Sequence, residues 1–371
     1  MFTFQTAGRI LFGAHVSSEL ARLTEHKRVF LVSGSDPGRY GLGIEASASY
    51  RVSGEPSFED ARAAVASCRE AGADLIVGLG GGAPLDLAKA VSVLAAQGGD
   101  PLDYAEVIGA GRSFGAEKIS CIAVPTTAGT GTEVTANAVL TSREHRVKVS
   151  LRAAAMLPDV ALVDPVLTLT CPPQVSAHSG MDALTQCLEP YVTPYASPLT
   201  DGFAREGMRR AHALTTVFTS PDDLYARTDM ALCSLLGGLS LANARLGAVH
   251  GLAGVLGGMT GAPHGAICAA LLAPVTTANL SAMFAREPGN PAIERYRDAA
   301  LLLTGERHTS ALQEWLWELA RHLGIAGLGS FGLLTSDYAE AVRGAQRASS
   351  MKGNPIALTP SELRGILVAA A

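Results

Sequence analysis

The chain has 371 residues, 48% of them hydrophobic and 17% charged, with a formal net charge of −5. That length predicts two domains, and that apolar fraction supports large cores and excludes a disordered chain. The acidic balance leaves no basic footprint for nucleic acid.

Taken in order, residues 1–13 alternate and break too early to read as a secretory signal. Residues 28–33 read as a buried strand ending at Gly34, and 58–71 carry helical periodicity. A second strand over 74–78 leads into a glycine run and a helix to about Ala96. Strands follow at 119–124, closed by Pro125, and at 160–164. Strands alternating with helices predict an α/β unit with a mostly parallel, doubly wound sheet. After about Pro165 the segments 173–193, 198–218, 222–244, 265–286, 292–304, 308–323 and 335–349 have helix-like spacing and no convincing strand. The expected division is 1–165 as an α/β domain and 166–371 as an all-α domain. No run reaches the about 20 apolar residues of a membrane span, so no membrane partner is expected. Six cysteines (Cys68, Cys121, Cys171, Cys187, Cys233, Cys268) lack Cys-x-x-Cys spacing and read as buried thiols of a cytoplasmic protein.

Three motifs can carry chemistry. Gly78-Leu-Gly-Gly-Gly-Ala-Pro-Leu-Asp-Leu-Ala-Lys89 follows a strand and opens a helix. It reads as a cradle for a cofactor phosphate at a helix N-terminus or as a tight strand–helix turn. Pro125-Thr-Thr-Ala-Gly-Thr-Gly-Thr-Glu-Val-Thr135 also follows a strand. It would wrap a cofactor, or simply bond its hydroxyls to its own backbone. The third motif is Asp182 and Gln186, four apart and so on one helix face, with His250 and His264 to either side of a Gly/Pro break. One carboxylate and two imidazoles in apolar, Gly-rich sequence point to a divalent metal, with a fourth position for water or substrate. His178, one turn before Asp182, would line the pocket or merely pack.

In this order the motifs resemble the iron-containing (group III) alcohol dehydrogenase family, which includes maleylacetate-reductase-like members. The likeness runs from Arg9-Ile-Leu-Phe-Gly13 to Lys352-Gly-Asn-Pro355. The resemblance implies an N-terminal dinucleotide-binding domain, a helical C-terminal domain, and an active site in the cleft between them. It implies reversible reduction of aldehydes or ketones with NAD or NADP at a divalent metal, iron or zinc. Carried over by motif, Gly81, Gly82, Ala83 and Asp86 would hold the pyrophosphate. Thr126, Thr127, Thr130, Thr135 and Lys148 would contact ribose, phosphates or nicotinamide, and Asp182, His250 and His264 would bind the metal and carry catalysis. A homodimer or higher homo-oligomer is the expected assembly.

The sequence departs from the family in four places. Gln186 stands where many members have a fourth ligand, a histidine, so three ligands are expected, with Gln186 distant or bonded to water. Gly254 stands where some members carry a histidine. Gly34 closes the first strand where NAD-preferring members have an aspartate, so NADPH should be tolerated unless Asp36 serves the ribose. Residues 35–56 are short for the family, leaving the outer edge of the sheet open. The expected substrate is a small alcohol, aldehyde or keto-acid. The rivals are an oxo-acid reductase with weak or no metal dependence, for which His178 and Arg245 would supply positive charge, a dehydroquinate-synthase-like lyase, and a non-catalytic cofactor-binding protein.

Overall fold

A computed structural model describes residues 2–105, 108–145 and 147–371. They form two compact units, Phe4–Cys171 and Pro172–Ala371, with residues 2–3 grouped with the second. The first carries β1 (Arg9–Phe12), α1 (Glu19–Thr24), β2 (Val29–Ser33), β3 (Ala46–Arg51), α2 (Phe58–Glu70) and β4 (Leu75–Gly80). It continues with α3 (Gly82–Gln97), α4 (Pro101–Tyr104), β5 (Ser120–Pro125), β6 (Asn137–Ser142), β7 (Val147–Arg152) and β8 (Val160–Val163).

Six strands form one sheet in the order β1-β8-β5-β4-β2-β3, every pair parallel. Alternate residues of each strand feed opposite cores, as the period of two requires. Phe30, Val32 and Ile76 join α2, α3 and the β6–β7 hairpin on one face. Val29, Leu31, Leu75, Val77 and Leu79 pack with Leu20 of α1 on the other. A sheet covered on both faces makes its central strands continuous apolar runs. That is why β2, β4, β5 and β8 are visible in the sequence. The outer edge is β3, which pairs in parallel with β2. From β2 the chain steps outward to β3 and returns to β4 on the far side of β2. This reversal is a topological switch point, the place where an open α/β sheet binds ligands beyond its strand ends. Gly34 and Gly80–Gly82 lie there.

The second unit is built from α5 (Pro173–Val192), α6 (Pro198–Arg210), α7 (Ala213–Thr219), α8 (Leu224–Asn243) and α9 (Ala248–Thr260). The remaining helices are α10 (His264–Arg286), α11 (Ala292–Thr304), α12 (Thr309–His322), α13 (Tyr338–Arg347) and α14 (Pro360–Ala369). The single helix expected over 198–218 is broken at Ala211 and His212 into α6 and α7. Close crossings depend on small residues. A Cβ on Gly180 of α5 would sit 2.3 Å from Leu214 of α7, and one on Gly207 of α6 would sit 2.4 Å from Cys187 Sγ. α10 is long and apolar enough to cross a membrane by composition, but 72% of its most apolar window is buried inside the protein.

Candidate functional site

In the α/β unit the glycine motif splits as its two readings suggest. β4 ends at Gly80, whose φ is +144°, and a Cβ there would meet Pro84 Cγ at 2.5 Å. The turn into α3 therefore requires glycine. α3 then starts at Gly82 with Gly81 as N-cap and no side-chain cap. The first amides of a 16-residue helix are thus left without a side-chain acceptor, which suits an anion. Ala83 is the next residue of that first turn. Gly34 Nα donates to Leu79 O at 3.3 Å, so the ends of β2 and β4 lie side by side.

The threonine motif folds against the glycine loop. Thr126 Nα donates to Gly80 O at 2.9 Å. A Cβ on Gly81 would lie 3.2 Å from Thr127 Oγ1, and one on Gly82 would lie 2.8 Å from Thr130 Cγ2. Gly81, Gly82, Thr127 and Thr130 therefore share one surface. Asp86 and Thr135 are engaged inside the protein. The fully buried Lys89 donates from Nζ to Thr132 Oγ1 at 2.6 Å and Thr135 Oγ1 at 2.9 Å, and pairs with Asp86 Oδ1 at 3.0 Å. Asp86 also accepts from Val139 Nα at 3.0 Å and from the Thr132 hydroxyl. Lys148, on β7, is paired with Glu55 at 3.1 Å. Asp36 caps a turn by accepting from Gly38 Nα at 3.1 Å, and Arg39 donates to Thr170 O at 3.2 Å.

In the helical unit α5 presents Asp182, Gln186 and Glu189 at i, i+4 and i+7, a single face. α9 begins at Ala248 and α10 at His264, separated by Gly261, Ala262 and Pro263. His250 lies in the first turn of α9, and His264 opens α10. His250 Nε2 stands 3.3 Å from Asp182 Oδ1, and His264 Nε2 stands 3.9 Å from the same oxygen. The donor atoms of Asp182, His250, His264 and Cys268 all lie within 4.8 Å of one another. Gln186 Nε2 donates to Asp182 Oδ2 at 3.0 Å, so the amide lies directly beside the carboxylate. The amide fixes the carboxylate whose other oxygen faces the imidazoles. His178 is outside the cluster and bonds Gln174 at 3.1 Å, and burial lowers its pKa. A side chain on Gly254 would meet nothing within 4 Å.

Three residues missed by the sequence reading complete the site. Glu189 Oε2 receives His250 Nδ1 at 2.7 Å, and Oε1 accepts from Val249 Nα at 2.8 Å. Asn354 Oδ1 accepts from Ala248 Nα at 3.1 Å, so the start of α9 is capped from two sides. Cys268, one turn after His264, places Sγ 3.6 Å from His264 Nε2. Only the i+7 spacing of Glu189 from Asp182 could have flagged the first of these.

The electrostatics favour a cation. Burial raises the Asp182 carboxyl, yet the imidazoles of His264 and His250 outweigh it and hold its pKa below the usual range. Burial likewise opposes a charged His250, but the bonds to Asp182 and Glu189 push its pKa up to about 10. Asp182 Oδ1 and Gln186 Oε1 are buried without an aligned hydrogen bond. An orphaned carboxylate oxygen beside two imidazoles carries a large penalty unless an ion satisfies it. This donor set fits a divalent metal, with Glu189 locking His250 as metal sites commonly do.

The metal-compatible cluster thus lies on helices of the second unit, and the glycine loop at the switch point of the first unit's parallel sheet. The sequence matches the family pattern "Iron-containing alcohol dehydrogenase" over residues 7–165 and the "Fe-containing alcohol dehydrogenase family, C-terminal" pattern over residues 176–371. It is 36% identical over 326 residues to long-chain-alcohol dehydrogenase 1 of Geobacillus thermodenitrificans, covering 85% of this chain and 80% of that protein. The structure superposes on a 1,3-propanediol oxidoreductase with a TM-score of 0.89 at 30% identity, over 100% of both chains. It is also similar to maleylacetate reductase from Rhizobium sp. strain MTP-10005, with a TM-score of 0.78 at 26% identity over 100% of this chain and 98% of that one. The chain belongs to the iron-containing alcohol dehydrogenase family and is an oxidoreductase acting on CH–OH groups.

Proposed function

We propose that Asp182, His250 and His264 hold a divalent cation, and that the protein interconverts a small alcohol and its aldehyde or ketone with a nicotinamide dinucleotide. The observation that carries this reading is the buried Asp182 Oδ1, which makes no aligned hydrogen bond yet faces both histidines at 3.3 and 3.9 Å. A cation bound there would polarise the substrate oxygen as a Lewis acid, and bound nicotinamide would supply or accept the hydride. The chain's own residues do the positioning. Gln186 fixes Asp182, Glu189 fixes the His250 ring, and the unpartnered first turn of α3 with Gly81, Gly82 and Ala83 receives the pyrophosphate. Thr126, Thr127 and Thr130 shape the wall beside it. Asp86 and Thr135 support the threonine loop through Lys89, while Lys148 pairs with Glu55.

NADPH should be accepted alongside NADH. No carboxylate stands at Gly34, and Asp36 is engaged in its own turn. The buried cysteines are in keeping with a reducing cytoplasm. A homodimer or larger homo-oligomer is the assembly to test by sedimentation. The oxo-acid reading is weaker: burial disfavours a charged His178, and Arg245 lies over the Tyr195 ring at 4.0 Å.

The test is metal analysis of purified protein with NADH and NADPH oxidation measured over aldehydes and keto-acids. Asp182→Asn should abolish metal binding and turnover while leaving dinucleotide affinity intact. Full turnover after chelation, confined to keto-acids, would replace this reading with the oxo-acid one.

A further inference from the structure

Resting on that metal site, we propose that the Cys268 thiolate is its fourth ligand and biases the site toward zinc over iron. Cys268 follows His264 by one helical turn, so both side chains lie on the same face of α10. Around a tetrahedral zinc with bonds of about 2.0–2.2 Å to N and O and about 2.3 Å to S, ligand atoms lie about 3.3 Å apart for N and O and about 3.6 Å apart for N and S. His250 Nε2 and Asp182 Oδ1 are 3.3 Å apart, and His264 Nε2 and Cys268 Sγ are 3.6 Å apart. The remaining measured edge, His264 Nε2 to Asp182 Oδ1, is 3.9 Å, and no pair in the quartet exceeds 4.8 Å.

A cysteine near a histidine is not by itself a site. The independent observation is Asp182, 1% exposed, whose Oδ1 makes no aligned hydrogen bond and faces the same centre, 3.3 Å from His250 Nε2 and 3.9 Å from His264 Nε2. Gln186 points its amide nitrogen at Asp182 Oδ2, while Cys268 brings a sulfur donor from α10. A thiolate among the ligands favours zinc and cobalt over iron(II) among borderline cations. On binding, the thiol proton leaves to solvent and sulfur donates its electron pair, with no change of oxidation state.

Cobalt(II) added to the metal-free full-length protein tests this. The intact protein should bind one cobalt and show a thiolate-to-cobalt charge-transfer band in the near ultraviolet. Cys268→Ser should retain cobalt but lose the band, and should lose more affinity for zinc than for iron(II). X-ray absorption of the zinc-loaded unmutated protein should show one sulfur at about 2.3 Å, which settles the point even if the variant fails to fold. Bound cobalt with no band, or a band that survives in Cys268→Ser, overturns the assignment of Cys268 and leaves the three-ligand site standing. Failure to bind cobalt at all overturns the metal site together with the fourth ligand.

Discussion

Replacing Glu189 by glutamine tests how the histidine nearest the carboxylate is held. Glu189 is 6% exposed and accepts two bonds, from His250 Nδ1 at 2.7 Å and Val249 Nα at 2.8 Å. Glutamine has the same shape but only one oxygen. If that oxygen keeps the Val249 amide, the new NH₂ faces His250 Nδ1 and forces that nitrogen to accept. The proton then moves to Nε2, the atom that faces Asp182, and Nε2 can no longer bind a metal. If the oxygen keeps His250, the buried Val249 amide is left against a donor. Losing one charge-assisted hydrogen bond costs about 1.5–3 kcal/mol, a factor of about 10–150. We therefore expect metal affinity to fall about 10- to 100-fold in Glu189→Gln, with dinucleotide affinity unchanged. The assay is chelator competition at fixed pH, with circular dichroism confirming the fold. A metal dissociation constant within twofold of the unmutated protein would refute the tautomer argument.

Three further outcomes follow from the α/β unit. Lys89→Met strands the Asp86 carboxylate and removes the bonds to Thr132 and Thr135, so denaturant unfolding should show a loss of about 3–5 kcal/mol, and Asp86→Asn on top of it should recover part of that. Gly80→Ala meets both a positive φ and the Pro84 ring, and should cost about 2 kcal/mol, read as a fall of about 4–8 °C in Tm with weakened dinucleotide binding. An unchanged Tm would refute the requirement for glycine. Burial holds the Glu133 carboxyl up at about 7 against the lowering influence of its own backbone amide and Lys89. Since this lies above the ordinary value of 4.5, the stability it contributes is complete below about pH 4.5 and lost as pH rises through about 7. Glu133→Gln should gain up to about 3 kcal/mol on the unmutated protein between pH 5 and pH 8, and a pH-independent difference would contradict this.

The sequence showed most clearly what is buried on both sides. β2, β4, β5 and β8 are apolar runs because helices, loops or hairpin cover each face of the sheet, and such runs are visible without knowing their neighbours. β3, with Ala46, Ser47, Ala48 and Ser49, has too little apolar contrast to read as a strand. The β6–β7 hairpin carries no separate mark in the sequence because its alternation follows directly on the threonine motif. The break at Ala211 and His212 was hidden because helix-compatible residues flank it on both sides. At the site Asp182, His250 and His264 were legible because polar groups in apolar, Gly-rich sequence demand an explanation. Glu189 and Cys268 were not, since a glutamate in a helix reads as a solvated face and a cysteine as core.

Residue type and spacing alone determined the family, the α/β-then-helical order, and the three polar side chains suited to a cation, because each leaves a local mark in the chain. Only the tertiary structure decided which groups share a centre. Asp182 and Cys268 are 86 positions apart, and their meeting depends on how α5 packs against α10, which no local pattern encodes. Gln186 and Asp182 on α5, and Lys89 and Asp86 on α3, stand one helical turn apart by sequence, but it is burial in the folded chain that makes each take the other as its polar partner.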